Sequence, residues 1–303
     1  MSKPEFEQRE VRVDSGQRMV MWTNRPVQQT QPLPMVIGAG FARRMHHFAA
    51  IAAYAAHNGI HVSRYDPINH VGLSDGKMWD FTLSDSLESL RTAVNETCRL
   101  TGSSKVVVVA TSLTARVAFQ LAATSDKVAL VVSAVGVVNV QETLKCVFGD
   151  DHSLYDPETM DGYVDFEGKH IERKNFSRDA LKNDWWSISG TVKALRRASQ
   201  PMIAFLGTND EWVRPADVEY VFNEGNGGPR KLLSLERATH DFSKNAAVAR
   251  TFVLRMLSEV GESCGAPLAP VEPRFEELME QSLLERRIQR AASSDAAGDA
   301  EAR

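Results

Sequence analysis

The sequence has few cysteines and no long apolar run, which argues against disulfide-rich, zinc-binding and membrane-spanning proteins. Only three of its 303 residues are cysteine, and they lie far apart, which argues against a disulfide framework or a thiolate zinc site. The longest apolar run, Val128 to Val138, already contains Ser133. It is far shorter than the ~20 residues that a membrane-spanning helix needs. We therefore expect no membrane span and no structural zinc.

A basic surplus is also missing. The chain has 35 Lys and Arg against 39 Asp and Glu, a net charge of -4, so we expect no nucleic-acid partner. No glycine-rich nucleotide-binding motif is present. No carboxylate stands at ligand spacing from His46 and His47, and we expect neither a metal nor an organic cofactor. The charged segment from Met1 to Arg12 contains no secretory signal, so we expect a cytoplasmic location.

Short apolar strands alternate with helical patterns through much of the chain. Such alternation predicts an α/β fold, with a mainly parallel sheet and helices on both faces. The run Val106 to Ala110 is composed almost wholly of β-branched residues and predicts a strand buried on both faces. A serine, Ser112, stands where this strand passes into a predicted helix.

That junction is the setting of a nucleophile elbow, normally Gly-x-Ser-x-Gly, in which a strained turn exposes the serine. Here the flanking positions are Ala110 and Thr114. Threonine is a departure from the motif, because it adds bulk where the helix and the strand pack closely. Taken alone, Ser112 is either such a nucleophile or a helix cap.

Two later residues favour the nucleophile. A serine needs a base and an orienting carboxylate. Asp210 and His240 each follow a predicted strand, and they come in the order Ser, Asp, His of α/β-hydrolases. Because the carboxyl ends of parallel strands share one edge, we predict that Ser112, Asp210 and His240 form a catalytic triad. Two neighbouring acids stay open as alternatives: Glu211 and Asp241.

Acyl transfer also requires N–H donors for an oxyanion. We expect one from Leu113, at the start of the helix, and another from Phe41, in the glycine-containing loop after an earlier strand. Arg43 and Arg44 follow in that loop. They either pair with Asp66 or another nearby carboxylate, or form a positively charged entrance to the site that contacts an acidic carrier or a phosphopantetheine.

Residues 141–190 break the alternation, and seven of these 50 residues are aromatic. Surface loops seldom carry so much apolar area, so this density predicts an inserted cap. The aromatic residues are Phe148, Tyr155, Tyr163, Phe166, Phe176, Trp185 and Trp186. We predict one α/β-hydrolase domain over residues 1–260, with the cap at about 141–190. A C-terminal helix, Glu276 to Arg290, and a disordered tail are expected within residues 261–303.

A set of stretches between about Val11 and Arg287 is typical of one family. They include Gly40 to Met45, His47 to Ala49, Arg64 to Asp66, His70 to Ser74, Ser112 to Ala118 apart from Thr114, Ala134 to Asn139, Asp165 to Gly168, Asn209-Asp210, Trp212-Val213, His240-Asp241, Phe275-Glu276 and Glu285 to Arg287. The set resembles the bacterial luminescence acyltransferase family, the myristoyl-acyl-carrier-protein-specific thioesterases of the α/β-hydrolase superfamily.

The resemblance implies the same triad, and the family also lacks the second glycine of the elbow. It implies release of long-chain fatty acid from acyl-carrier-protein or acyl-CoA thioesters through an acyl-serine intermediate. It further implies that a fatty-acid reductase complex takes up the product in luminescence. Two alternatives stay open: a carboxylic-ester hydrolase with the same triad, and a non-catalytic scaffold.

Overall fold

The computed structural model describes residues 4–149 and 156–301, with side chains described as far as residue 291. The strands are β1 (Glu5–Arg12), β2 (Arg18–Arg25), β3 (Met35–Gly38), β4 (Val62–Tyr65), β5 (Val106–Thr111), β6 (Val128–Ala134), β7 (Tyr163–Phe166), β8 (Lys169–Glu172), β9 (Met202–Gly207) and β10 (Arg230–Leu235). The helices are α1 (Ala49–His57), α2 (Leu83–Thr101), α3 (Leu113–Ala122), α4 (Val140–Phe148), α5 (Arg173–Lys182), α6 (Ile188–Arg197), α7 (Pro215–Glu224), α8 (Ala246–Ser263) and α9 (Phe275–Glu301).

The central sheet has eight strands in the order β1-β2-β4-β3-β5-β6-β9-β10. β1 and β2 form an antiparallel hairpin, and β2 runs antiparallel to β4. Every other neighbouring pair in this sheet is parallel. The predicted mainly parallel α/β sheet is thus confirmed. No helix in the described part of the chain is both long and apolar enough to cross a membrane.

The central strand β5 shows why the core has two halves. Val106 and Val108 point into the apolar cluster that contains residues of α2 and α3, whereas Val107 and Val109 point into the cluster with α1 and α8. Successive side chains of a strand alternate between faces, and both faces of this sheet are covered by helices. Because both faces of β5 are buried, successive positions are all apolar, and this explains its run of valines.

The segment predicted as a cap lies between β6 and α6. It contains α4, the antiparallel hairpin of β7 and β8, and α5. This hairpin forms a separate two-stranded sheet and does not extend the central one. Residues 150–155, which include the aromatic Tyr155, lie outside the described residues.

The C-terminal helix α9 packs against α1. It is longer than predicted: the sequence suggests a helix end near Arg290, whereas the helix continues to Glu301. The added segment is rich in alanine, which has the highest helix propensity.

A buried ion pair ties α9 to the sheet. The Arg64 guanidinium on β4 donates to both carboxylate oxygens of Glu285 on α9, at 2.9 and 2.7 Å, and both side chains are fully buried. Arg64 also donates to Asn24 and to the main-chain carbonyl of Met45. These four hydrogen bonds use most of the N–H donors of the buried guanidinium, so its charge is compensated in the interior.

The turn after β4 positions the loop after β3. The buried carboxylate of Asp66 accepts the N–H groups of Met45, at 2.7 Å, and Leu73, at 2.9 Å. Nε2 of the buried His70 accepts the N–H of Ala42 at 3.0 Å. Burial lowers the pKa of His70 to about 4, and the bond from Ala42 requires a neutral ring.

The Arg64–Glu285 pair generates a stability prediction. Glu285→Gln should lower the free energy of unfolding by about 3 kcal/mol or more, because it leaves a buried guanidinium without its counter-charge. The matched control is Glu96→Gln, which breaks an exposed pair with Arg99 and should cost less than about 1 kcal/mol. Urea unfolding of the three proteins measures both effects; equal losses would contradict a dominant role for the buried pair.

His70 generates a pH prediction. Its pKa is lower in the folded than in the unfolded chain, where the reference is ~6.5, so its contribution to stability is complete above that pH. It should be lost as the pH falls towards about 4, by up to about 1.4 kcal/mol per pH unit. His70→Gln keeps a hydrogen-bond acceptor for Ala42 but does not titrate. Urea unfolding between pH 7 and 4 should therefore give a steeper decline for wild type than for this variant; parallel curves would contradict the prediction.

Candidate active site

The three predicted triad residues meet at the carboxyl edge of the sheet. Oγ of Ser112, directly after β5, lies 2.8 Å from Nε2 of His240, in the loop after β10. Nδ1 of His240 lies 3.1 Å from each carboxylate oxygen of Asp210, in the loop after β9. Asp210 Oδ1 also accepts the N–H groups of Trp212 and Val213, both at 2.9 Å. This arrangement can pass a proton from serine to an imidazole that the carboxylate orients.

The two alternative acids have other partners. The Glu211 carboxylate accepts the main-chain N–H of His240 at 3.1 Å, and so it holds the backbone of the histidine. Asp241 pairs with Arg43 and Lys244. Among the described contacts, Asp210 alone provides a carboxylate to the imidazole, which favours it over the alternatives.

The backbone around Ser112 is strained as an elbow requires. Ser112 has φ 52° and ψ -130°, and α3 begins at the next residue. Ala42 and Val135, on the neighbouring loops, also have positive φ. Such conformations cost about 1–3 kcal/mol each and concentrate at functional sites.

The unusual Thr114 is accommodated by a glycine on the neighbouring strand. A Cβ atom on Gly38, at the end of β3, would lie only 2.7 Å from Cγ2 of Thr114. The Thr114 hydroxyl donates to the carbonyl of Ala39. The space that the elbow motif normally provides on the helix is therefore provided here by β3, and the threonine ties α3 to the loop that carries Phe41.

The two predicted oxyanion donors border the serine. Leu113 is the first residue of α3, so its N–H has no intrahelical acceptor. Phe41 lies in the loop that His70 and Thr114 hold, and it lines the same cavity as Ser112 and Leu113. Their role as oxyanion donors stays a prediction.

One cavity runs from Ser112 beneath the cap. It is narrow, about 60 Å³, and its walls are almost wholly apolar. The apolar lining includes Leu113, Val137, Leu144, Val147, Phe148, Val164, Phe166, Ile171, Phe176, Trp186 and Trp212. Trp185, by contrast, packs its ring on the guanidinium of the buried Arg116 and does not line the cavity.

A second, wider cavity of about 500 Å³ opens on the other side of the serine, towards α1, α8 and α9. Four residues line both cavities and separate them: Phe41, Ser112, Phe166 and Trp212. Phe166 makes edge contacts with Phe41 and Trp212, and the Trp212 ring lies 4.5 Å from that of His240. An acyl compound bound at Ser112 would therefore have one cavity for each side of its carbonyl.

Trp212 and Phe166 were not among the site residues that the sequence suggested. Trp212 stands two residues after Asp210 and contributes a main-chain N–H to the acid as well as its ring. Its place in the loop after β9 and in the family-typical stretch Trp212-Val213 is the available signal. For Phe166 the signals are the aromatic content of the cap and the family-typical stretch Asp165 to Gly168; neither indicates that the cap hairpin brings it to the serine.

Arg43 forms two ion pairs, whereas Arg44 forms none among the described residues. Arg43 does not pair with Asp66: it bonds Glu167 at the tip of the cap hairpin, at 2.7 Å, and lies 3.7 Å from Asp241. Arg43 thus pairs with a nearby carboxylate, as one of the two interpretations expects. Its acids are Glu167 and Asp241, because the Asp66 carboxylate already accepts main-chain N–H groups.

Among the described residues, no group of three or more His, Cys, Asp or Glu is placed to hold a metal ion.

Comparison with solved structures shows the same fold. Est1E from Butyrivibrio proteoclasticus, solved with bound ferulic acid, has a TM-score of 0.69 at 19% identity, covering 83% of this chain and 98% of that one. The α/β-hydrolase GrgF from a Penicillium species has a TM-score of 0.66 at 18% identity, covering 86% and 99%. The predicted α/β-hydrolase fold is confirmed.

Sequence comparison is more specific. A family model described as acyl transferase matches residues 7–294. An acyl transferase from Shewanella hanedai is 34% identical over 291 residues, 94% of each chain. One from Aliivibrio fischeri is 36% identical over 284 residues, 92% of each chain. By the match to this family model and to these relatives, the chain belongs to the acyl transferase family.

Proposed function

We propose that the protein takes the acyl group of a long-chain acyl thioester onto Ser112 and then releases it as fatty acid or passes it to an acceptor. The observation that supports this most is the continuous hydrogen-bonded series of Ser112, His240 and Asp210 at the mouth of an apolar cavity. The relatives are named acyl transferases, which agrees with an acyl-enzyme as the shared intermediate.

The reaction begins with attack by Ser112 Oγ on the thioester carbonyl carbon, while His240 Nε2 takes the hydroxyl proton. The N–H groups of Leu113 and Phe41 donate to the oxyanion that forms. When the C–S bond breaks, His240 returns the proton to the leaving thiol. Water or another acceptor then gives a proton to His240 and attacks the acyl ester, and Ser112 regains its proton. Asp210 holds the imidazole in the required tautomer throughout.

The cap cavity is proposed as the acyl site. Its apolar walls favour methylene groups, each of which gains about 0.8 kcal/mol on burial. Its volume of about 60 Å³ is small for a long acyl chain, so we propose that the cap moves outward as the chain enters. One of the contacts that would have to open is the exposed Arg43–Glu167 pair, which costs little to break.

The thiol side of the substrate is proposed to be acyl carrier protein or coenzyme A, in the cytoplasm. The family resemblance further suggests that a fatty-acid reductase complex receives the product in luminescence. The second cavity supports this assignment, since its volume of about 500 Å³ beside His240 has room for a large thiol.

The triad generates the first functional prediction. Wild type mixed with tetradecanoyl-CoA and quenched in acid should carry one tetradecanoyl group on Ser112, detected by mass spectrometry of the peptide. Ser112→Ala should form no adduct and lose roughly 10³-fold or more in kcat/KM. Asp210→Asn should lose roughly 10²- to 10⁴-fold, because the imidazole tautomer is no longer held.

The control for the acid is Glu211→Gln, which keeps an acceptor for the His240 main chain and should retain most activity. Near-normal turnover by Asp210→Asn together with an inactive Glu211→Gln would show that the acid is assigned wrongly. Turnover of p-nitrophenyl esters without turnover of thioesters would favour a carboxylic-ester hydrolase instead.

The cap generates the second functional prediction. In wild type, kcat/KM should rise about fourfold for each added methylene, following the burial energy, until the cavity is full. Phe148→Ala should flatten this profile, because Phe148 lines the cavity. The matched control is Tyr163→Ala, an exposed cap aromatic that packs on Trp79 and His170 outside it. Equal preference of wild type for acetyl and tetradecanoyl thioesters would contradict an acyl site under the cap.

A further inference from the structure

A groove rich in basic side chains continues outward from the second cavity. We call it the basic groove; it has a volume of about 730 Å³ and lies between the segment before α1 and one face of α9. Its basic lining residues are Arg43, Arg44, His46, His47, Arg286 and Arg290. None of the described residues that line it is Asp or Glu.

Part of this positive charge lacks a counter-charge. Arg43 is paired with Glu167, and the acid nearest in sequence on α9, Glu285, is occupied by the buried Arg64. Neither Arg44 nor Arg286 forms an ion pair among the described residues. The charge of Arg44 does act on the buried Asp66, but that carboxylate is already held by the N–H groups of Met45 and Leu73. An anion is therefore the missing partner that the groove would attract.

The positive charges around the groove also act on its two histidines, after the larger effect of burial. Partial desolvation, and then the positive charges of His46, Arg43, Arg44 and Arg286, lower the pKa of His47 to about 4. Desolvation and the neighbouring Arg44 also lower the pKa of His46. Nδ1 of His47 accepts the main-chain N–H of Arg44 at 3.1 Å, so a neutral His47 ring carries its proton on Nε2 and can donate it to a bound oxyanion.

The groove is continuous with the reaction centre. Arg43, His47, Ala50, Ser243 and Leu278 line both the basic groove and the second cavity, which itself reaches Ser112 and His240. A ligand that leaves the serine on the side opposite the cap therefore enters the groove.

We propose that the basic groove is a phosphate subsite, in which Arg44 and Arg286 bind a phosphate group on the thiol side of an acyl thioester. The proposal rests on the proposed function, since it assigns the second cavity to the thiol. Phosphopantetheine on a carrier protein and the phosphates of coenzyme A share this chemistry. Arginine suits it, because its planar donors match phosphate oxygens.

The fold holds one of these arginines in place. Arg286 directly follows Glu285, whose buried bonds to Arg64 fix the position of this turn of α9. Gln281, one turn earlier, donates to Glu285 at 2.9 Å and supports the same contact. The buried pair that ties α9 to β4 thus also sets one wall of the subsite.

The test compares thioesters that share one acyl chain: acyl-carrier protein, acyl-CoA and the acyl thioester of N-acetylcysteamine, which has no phosphate. The Arg44→Gln/Arg286→Gln double variant should lower kcat/KM for the two phosphate-bearing substrates by about tenfold to a hundredfold relative to the truncated one, as expected for lost charge-assisted hydrogen bonds. The matched control is Arg287→Gln, an exposed arginine on α9 that does not line the groove and should leave all three rates unchanged.

A loss confined to acyl-CoA would assign the subsite to coenzyme A, and a loss confined to acyl-carrier protein would assign it to the carrier. Equal losses on all three substrates, no loss on any, or the same selective loss in Arg287→Gln would overturn the proposal.

A binding measurement keeps this test independent of turnover. Coenzyme A titrated into wild type should raise the pKa of His47, followed by NMR of its ring protons, and should not do so in the double variant. If wild type cleaves none of the thioesters, the proposed function fails, while this titration still decides the phosphate subsite. An unchanged His47 titration at saturating coenzyme A would overturn the subsite.

Discussion

The strained turn at Ser112 is the constraint on which the site depends. With φ at 52°, the residue leaves β5 abruptly, and its carbonyl accepts the N–H groups of Ala115 and Val137 while its own N–H donates to Ala134. These bonds come from three elements, α3, the segment after β6 and β6 itself. A conformation that costs energy locally persists because the surrounding sheet over-determines it.

The neighbouring loops are shaped to fit this turn. Gly38 leaves room for Thr114, the Thr114 hydroxyl holds Ala39, and His70 holds Ala42. The loop that carries Phe41 is therefore fixed from both sides before any substrate arrives. If Phe41 donates to an oxyanion as predicted, a loop fixed in this way would need no rearrangement in the transition state.

The C-terminal helix α9 both stabilises the fold and lines the cavities beside the site. The same turn of α9 carries Glu285, which is buried against Arg64, and Arg286, which faces the basic groove. Leu278, earlier on α9, lines the second cavity as well. The C-terminal helix that the sequence predicts is thus part of the wall between Ser112 and the surface.

Much of this could be predicted from the sequence, because the signals are local. The β-branched run of β5 indicates burial on both faces, and the order of Ser112, Asp210 and His240 after three strands indicates a shared edge of the sheet. Tertiary structure decided the rest. It placed the carboxylate of Asp210, and not that of Glu211, against the imidazole. It also brought Phe166 beside Trp212 through the cap hairpin and paired Arg43, but not Arg44, with Glu167. Such choices depend on contacts between residues far apart in the chain, which no local pattern of residue types specifies.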